Sequence, residues 1–255
     1  MVRRAACVLV AVLALGACSS DDGTGAPDDP LQVTGDLTAA TPARSPATST
    51  KPAGKVRQGE PPKAAHRTAQ LGAWTLVARG KQGIEVRRDG KRVKMISDDL
   101  ASADQVFVVD GQAAVLDRLR SAVFQVDVQA GKVRLGLRAG QGATNGTVDE
   151  FGRILVVDTR NEALLAFGMD PFLLRQRYPV PGSPYGIAYD AKRNIAWVTV
   201  TETNEVVGFD VAGGEPRERY RFPTVRQPNS VTVEERTGDV LVASAAGEGN
   251  QVIRP

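Results

Sequence analysis

A chain of 255 residues with a formal charge of only +3 and a single histidine excludes much before any motif is sought. The charge is too small to leave an electrostatic footprint for nucleic acid, so no nucleic-acid partner is expected. One histidine and two cysteines make zinc catalysis, Ser-His-Asp chemistry and Cys-His chemistry hard to assemble.

The first element is a sorting signal. Arg3 and Arg4 precede an apolar run, Ala5 to Leu15, that is too short to span a bilayer comfortably. The run ends in Leu15-Gly16-Ala17-Cys18, which resembles a bacterial lipobox. The resemblance implies cleavage after residue 17 and a diacylglyceryl group on the Cys18 thiol, placing the protein on the extracytoplasmic face of the cell membrane. An ordinary secretory signal and an uncleaved anchor are the competing readings. One acyl chain holds a bilayer only marginally, so a stable anchor needs the additional chains that lipobox processing supplies. Cys7 departs with the signal, leaving Cys18 as the only thiol and no internal disulfide.

Residues 18–67 follow as the lipidated cysteine and a linker rich in Ser, Thr, Pro, Ala, Gly and Asp. Such a tract cannot bury enough apolar surface to offset chain entropy and is expected to be a disordered tether. Its one histidine, His66, is expected to be solvated.

Residues 68–255 read as all-β: short apolar-alternating runs separated by Gly, Asp, Asn and Pro turns. A phrase recurs along them. Val115-Leu116-Asp117 to Val126 returns as Val156-Val157-Asp158 to Phe167, and Pro184 to Asp190 returns as Pro228 to Glu234. Roughly 40 to 45 residues separate the copies, the period of propeller blades. One blade is complete from Tyr185–Tyr189 through Asn194–Val200 and Val206–Val211 to Arg217–Phe222. The same template fits Val106 to Leu137 and Gly146 to Val180. Thr75–Ala78, Ile84–Arg88 and Arg92–Ile96 match second to fourth strands, and Val231–Val233, Val240–Ala243 and Gln251–Ile253 match first to third. The expected fold is a β-propeller of about five four-stranded blades. Its last blade lacks a fourth strand, and an open edge is an aggregation hazard. Arg67 to Gly72, or part of the linker before it, is expected to pair there.

Val157-Asp158-Thr159-Arg160-Asn161 to Phe167 resembles the core of an NHL repeat, while Trp74 to Ile96 and Thr201 to Asp210 resemble YncE-like surface-layer relatives. The domain is similar to the broad NHL/YncE/SMP-30-like propeller group, and the Ala/Arg/Gly-rich usage suggests an actinobacterial genome. Those relatives usually carry six or seven blades. The resemblance implies two functions: a non-catalytic binding or scaffolding module, or a metal-dependent hydrolase of the SMP-30/gluconolactonase type. The turns before the first strands supply Asp104, Asn145, Tyr185 and Asn229. Their oxygens would suit Ca²⁺ or Mg²⁺, or they cap turns by bonding their own backbone. Otherwise no cofactor is implied, and no catalytic residue is assigned. On the same face Asn161, Asn204 and Asn250 recur as turn residues, or as a polar rim for a protein, peptide or cell-wall polymer. Cations alternate along the outer strands, as in Arg175/Arg177 and Arg217/Arg219/Arg221, for edge protection or for an anionic partner.

Overall fold

The structure, a computed structural model, describes residues 37–47, 50–61 and 65–255. Cys18 and the whole of the expected signal lie outside the described residues. Twenty strands form five four-stranded antiparallel sheets, with no helix among the described residues. The first sheet joins β2 (Thr68–Leu71), β3 (Trp74–Ala78), β4 (Ile84–Arg88) and β5 (Lys91–Ile96). The second joins β6 (Gln105–Val109), β7 (Gln112–Asp117), β8 (Ala122–Asp127) and β9 (Lys132–Arg138). In the third, β10 (Ala143–Val148) is followed by β11 (Arg153–Asp158), β12 (Ala163–Met169) and β13 (Phe172–Pro179). The fourth runs β14 (Pro184–Asp190), β15 (Ile195–Val200), β16 (Glu205–Asp210) and β17 (Arg217–Pro223). Each is a blade whose first strand is innermost: β2 packs on β6, β6 on β10, β10 on β14, and β14 on the first strand of the fifth blade.

That blade is β18 (Pro228–Val233), β19 (Val240–Ser244) and β20 (Asn250–Ile253), completed by a strand from far upstream. β1 (Lys55–Arg57) pairs antiparallel with β20, Lys55 opposite Val252 and Arg57 opposite Asn250. The expected closure from the linker is therefore present. The specific candidate Arg67–Gly72 is corrected: Thr68–Leu71 pairs with β3 and is the inner strand of the first blade. The reason is local. Gly72, at φ 55°, turns this short run straight back onto Trp74, so it pairs with its nearest neighbour in sequence. Gly54 is needed for the closing strand, because a Cβ there would lie 2.1 Å from the Val252 carbonyl oxygen.

The core lies between blades. Phe107, Leu116, Ile154, Val156, Leu165 and Phe167 fill the space between the second and third blades. Val157, Val198, Val207 and Phe209 contribute to the next space, where Tyr178 meets Phe209 edge-on at 5.6 Å. Trp197 anchors the last, stacked 5.3 Å from Tyr220 and packed with Val231, Val242 and Ile253. Gly208 makes room for it, since a Cβ there would meet the indole ring at 2.9 Å. A fully buried apolar side chain contributes about 1.5–3 kcal/mol, so these spaces dominate the stability.

Candidate functional site

The strands run so that the beginning of each inner strand and each loop between second and third strands share one end of the propeller, here the top. Two buried carboxylates build that end. Asp117 accepts from the amides of Ala101, Ser102 and Arg120 at 2.7, 3.1 and 2.9 Å. Asp158, at the equivalent place one blade on, accepts from Gln141, Gly142 and Asn161 amides at 3.2, 2.9 and 3.2 Å. Both are fully buried. Each ties its own loop to the lead-in of its own inner strand, which explains the Asp of the repeated phrase as structure rather than chemistry.

A second repeated device was missed in the sequence. Ser121, Glu162 and Asn204 all adopt left-handed backbone, at φ 47°, 49° and 55°. Each side-chain oxygen accepts an amide from the next blade: Ala143 at 3.3 Å, Gly182 at 3.0 Å and Gln227 at 3.0 Å. The recurrence of Asn204 as a left-handed turn residue is right. Asn161 is not its equivalent, because the left-handed position there belongs to Glu162. Asn250 does something else, donating to the carbonyls of Gly59 and Glu60 at 3.1 and 2.8 Å and so holding the chain beyond β1. Spacing alone identified Asn204; only the differing residue types at 121 and 162 hid the pattern.

Of the four residues expected around the channel, three come together. Asn145, Tyr185 and Asn229 line one cavity of about 150 Å³, with Gln105 in the place expected of Asp104. The inner strands break register beside these residues, between Ala143 and Asn145, Pro184 and Ile187, and Pro228 and Ser230. Such bulges re-aim side chains out of a regular ladder. β6 has no such break, and Asp104 stays in its turn, accepting from Ser102 Oγ at 2.5 Å and the Arg118 amide at 3.0 Å. Asn145 Nδ2 donates to the Tyr185 carbonyl at 2.9 Å. The one carboxylate of the set is thus used by a turn, and one of its amides bridges two blades. No group of three or more His, Cys, Asp or Glu suited to a metal occurs among the described residues.

Further along the inner strands, His66 is not in free solvent as expected. Its ring lies 5.1 Å from Phe107, its Nε2 is 3.2 Å from Thr147 Oγ1, and it is half-buried. Burial holds its pKa down at about 4. The reason is that its carbonyl accepts from Val106 and the Ala65 carbonyl accepts from Gln105 Nε2, drawing this piece of the expected linker against the inner strands. His66, Thr147, Tyr189, Lys192, Thr232 and Glu235 line a cavity of about 500 Å³. Tyr189 donates to Asn194 Oδ1 at 2.7 Å, and its hydroxyl is pushed up to about 12, chiefly by burial.

The largest departure from expectation lies on the top face. Residues 37–47 of the tract read as free linker form a strap across it. Arg160 donates to the Thr38 carbonyl at 3.1 Å and Arg118 to the Ala40 carbonyl at 3.1 Å. The Ala43 amide donates to Ser183 Oγ at 3.1 Å, and Gln227 donates to the Ala43 carbonyl at 2.8 Å while accepting from the Ser45 amide at 3.1 Å. Ser45 Oγ donates to the Thr201 carbonyl at 2.7 Å and accepts from the Gln227 amide at 3.0 Å. Asn204 reaches the Pro46 carbonyl at 3.5 Å. Groups from four blades therefore converge on the main chain of one segment. The propeller boundary at residue 68 is also too late, since β1 belongs to the fifth blade. Composition hid the strap because its contacts are polar and main-chain, and need no apolar side chains.

Three of the outer-strand cations are paired at home. Arg134 pairs with Asp127, Arg219 with Asp210 at 3.2 Å, and Arg221 with Glu205 and Glu218 at 2.7 Å each. For these three the pairing suits edge protection.

The fold and its top face define a five-bladed β-propeller. Comparison with solved structures agrees. The chain is similar to Kuenenia stuttgartiensis hydrazine synthase (16% identity, TM-score 0.57, 72% of this chain and 69% of that one). It is similar also to virginiamycin B lyase from Staphylococcus aureus (12%, 0.54, 73% and 68%). The WD40 β-propeller domain of Doa1 is a third neighbour (13%, 0.57, 72% and 62%). At these identities the likeness is one of fold. The chain spans between 62% and 69% of the length of these neighbours. No family model and no curated protein matches.

Proposed function

We propose that this protein is a lipoprotein of the NHL/YncE/SMP-30-like propeller group, anchored through Cys18 on the extracytoplasmic face of the membrane. There it acts as a non-catalytic binding or scaffolding module. The observation that carries the reading is the convergence of Arg118, Arg160, Ser183 and Gln227, from four different blades, on the backbone of a single extended segment. A surface built this way binds through several modest polar contacts, each worth about 0.5–1.5 kcal/mol net, and requires no reacting group. The alternative reading is the metal-dependent hydrolase, whose one carboxylate candidate, Asp104, accepts from Ser102 Oγ and the Arg118 amide.

Two measurements test this. Cys18→Ser should abolish labelling by radioactive palmitate and release the protein from the membrane fraction; retained labelling removes the anchor. Cross-linking of the tethered protein in intact cells should trap a reproducible envelope partner, and the absence of any partner removes the scaffold. A rise in melting temperature with Ca²⁺ or Mg²⁺ would instead favour the hydrolase.

A further inference from the structure

We propose that the top face reads extended polypeptide of a defined pattern, a small residue followed five positions later by serine or threonine, and that Thr38–Pro46 is a resident copy of that ligand. The inference rests on the binding-module reading and names its ligand class.

Most of the strap is read by shape alone. Arg160, Arg118, Ser183 and Gln227 touch main-chain groups of Thr38, Ala40, Ala43 and Ser45, except that Arg160 also reaches Thr38 Oγ1 and the Gln227 amide also reaches Ser45 Oγ. Two side chains are selected. Ala40 is only 2% exposed and sits over Gly142, where even a Cβ would come within 3.0 Å of the Ala40 methyl. Nothing larger fits between them. Ser45 Oγ donates to the Thr201 carbonyl and accepts from the Gln227 amide. A residue without a hydroxyl leaves the carbonyl of the fully buried Thr201 unanswered and the Gln227 amide with only its bond to Asn204 Oδ1, and such omissions discriminate more strongly than a missing contact does. Pro42 and Pro46 keep the segment extended, which lowers the ordering cost of any peptide of the same build.

The strap is also built to leave. None of residues 37–47 enters the apolar clusters between blades. Its polar contacts are exposed or partly buried, whereas those of Asp117 and Asp158 reach the interior. A polypeptide from another protein, carrying the same small-to-hydroxyl pattern, fits the face once the strap yields. Being tethered, the strap competes at an effective concentration near millimolar, so an external peptide must overcome it.

The test uses the full chain in detergent and a fluorescein-labelled peptide with the sequence of residues 37–47, followed by anisotropy. Ser45→Ala in the chain weakens the strap without touching the face. The labelled peptide should bind this variant at least tenfold more tightly than the wild type, equivalent to about 1.4 kcal/mol. A peptide with alanine at the serine position should bind at least tenfold more weakly than the serine peptide. Gln227→Ala added to Ser45→Ala should remove binding, with circular dichroism confirming the fold. If that variant melts early, Ser183→Ala takes its place. Failure of the serine peptide to bind Ser45→Ala, or equal binding of both peptides, overturns the proposal. Peptide binding without any envelope partner would leave this inference standing and remove the scaffold. A partner trapped regardless of Ser45 and Gln227 would do the reverse.

Discussion

The spaces between blades and the strap over the top face are held by opposite means. Between blades, Phe107, Phe167 and Trp197 are fully buried among apolar side chains, so their contribution scales with area removed from water. The strap brings small residues, and apart from Ala40 it is joined by hydrogen bonds at half-exposed positions. The first kind of contact is cooperative with folding of the whole ring; the second can open locally while the ring persists. The difference separates the part of the molecule that sets its shape from the part that is free to exchange.

The largest expected effect breaks the interior. Trp197→Ala should cost about 4 kcal/mol and lower the melting temperature sharply, because the cavity it leaves is walled by three strands of one blade and the next. Trp197→Phe should cost much less. The indole Nε1 is buried without a partner, so the smaller ring forfeits no hydrogen bond. Equal losses for the two variants would show that packing does not dominate there. Asp158→Ala comes next, at about 3 kcal/mol, since three buried or half-buried amides lose their acceptor at once. Urea denaturation measures it, and a loss under 1 kcal/mol would demote the carboxylate from its place in the blade.

These residues also show what could be read from sequence. Trp197, Phe167 and the strand order were legible because alternation and a repeat near 40 residues report burial directly. Asp117 and Asp158 were visible as a repeat, but their role was not, because a buried acceptor for three amides looks the same in sequence as a ligand. Asn145, Tyr185 and Asn229 were correctly placed together, since equivalent positions on wound modules must meet. Asp104 was not, because β6 lacks the register break that frees the others. The strap and His66 were illegible for one physical reason. Their positions depend on hydrogen bonds to groups between 40 and 184 residues away, and composition carries no such signal.

His66 gives an intermediate effect, and its sign follows from the direction of the shift. The folded ring titrates at about 4 against an ordinary 6.5, so the fold holds the neutral form. Its contribution is fully present above about pH 6.5 and drains away as the pH falls toward 4. Allowing for partial exposure, about 1 kcal/mol should be lost between pH 7 and pH 5. Carboxylates with lowered pKa, such as Glu85 and Glu248, weaken the fold in the same direction on acidification. The comparison is therefore between wild type and His66→Gln across that range, where only the wild type should show the extra slope. Parallel curves would return His66 to solvent.

The smallest global effect belongs to the strap, and its smallness is the point. Ser45→Ala strands the carbonyl of buried Thr201 but leaves the Gln227 amide its bond to Asn204 Oδ1, so the loss falls on the docking of the strap rather than on the blades. The melting temperature should move by less than about 2 °C, as expected for under 0.5 kcal/mol of global stability. Hydrogen exchange should change far more, with protection of the Ala43 and Ser45 amides falling at least tenfold while Val156 and Val198 hold theirs. If protection fell across the blades together, the strap would be a cooperative part of the ring. Its contacts would then belong with those of Trp197, and no peptide from outside could take its place without unfolding the protein.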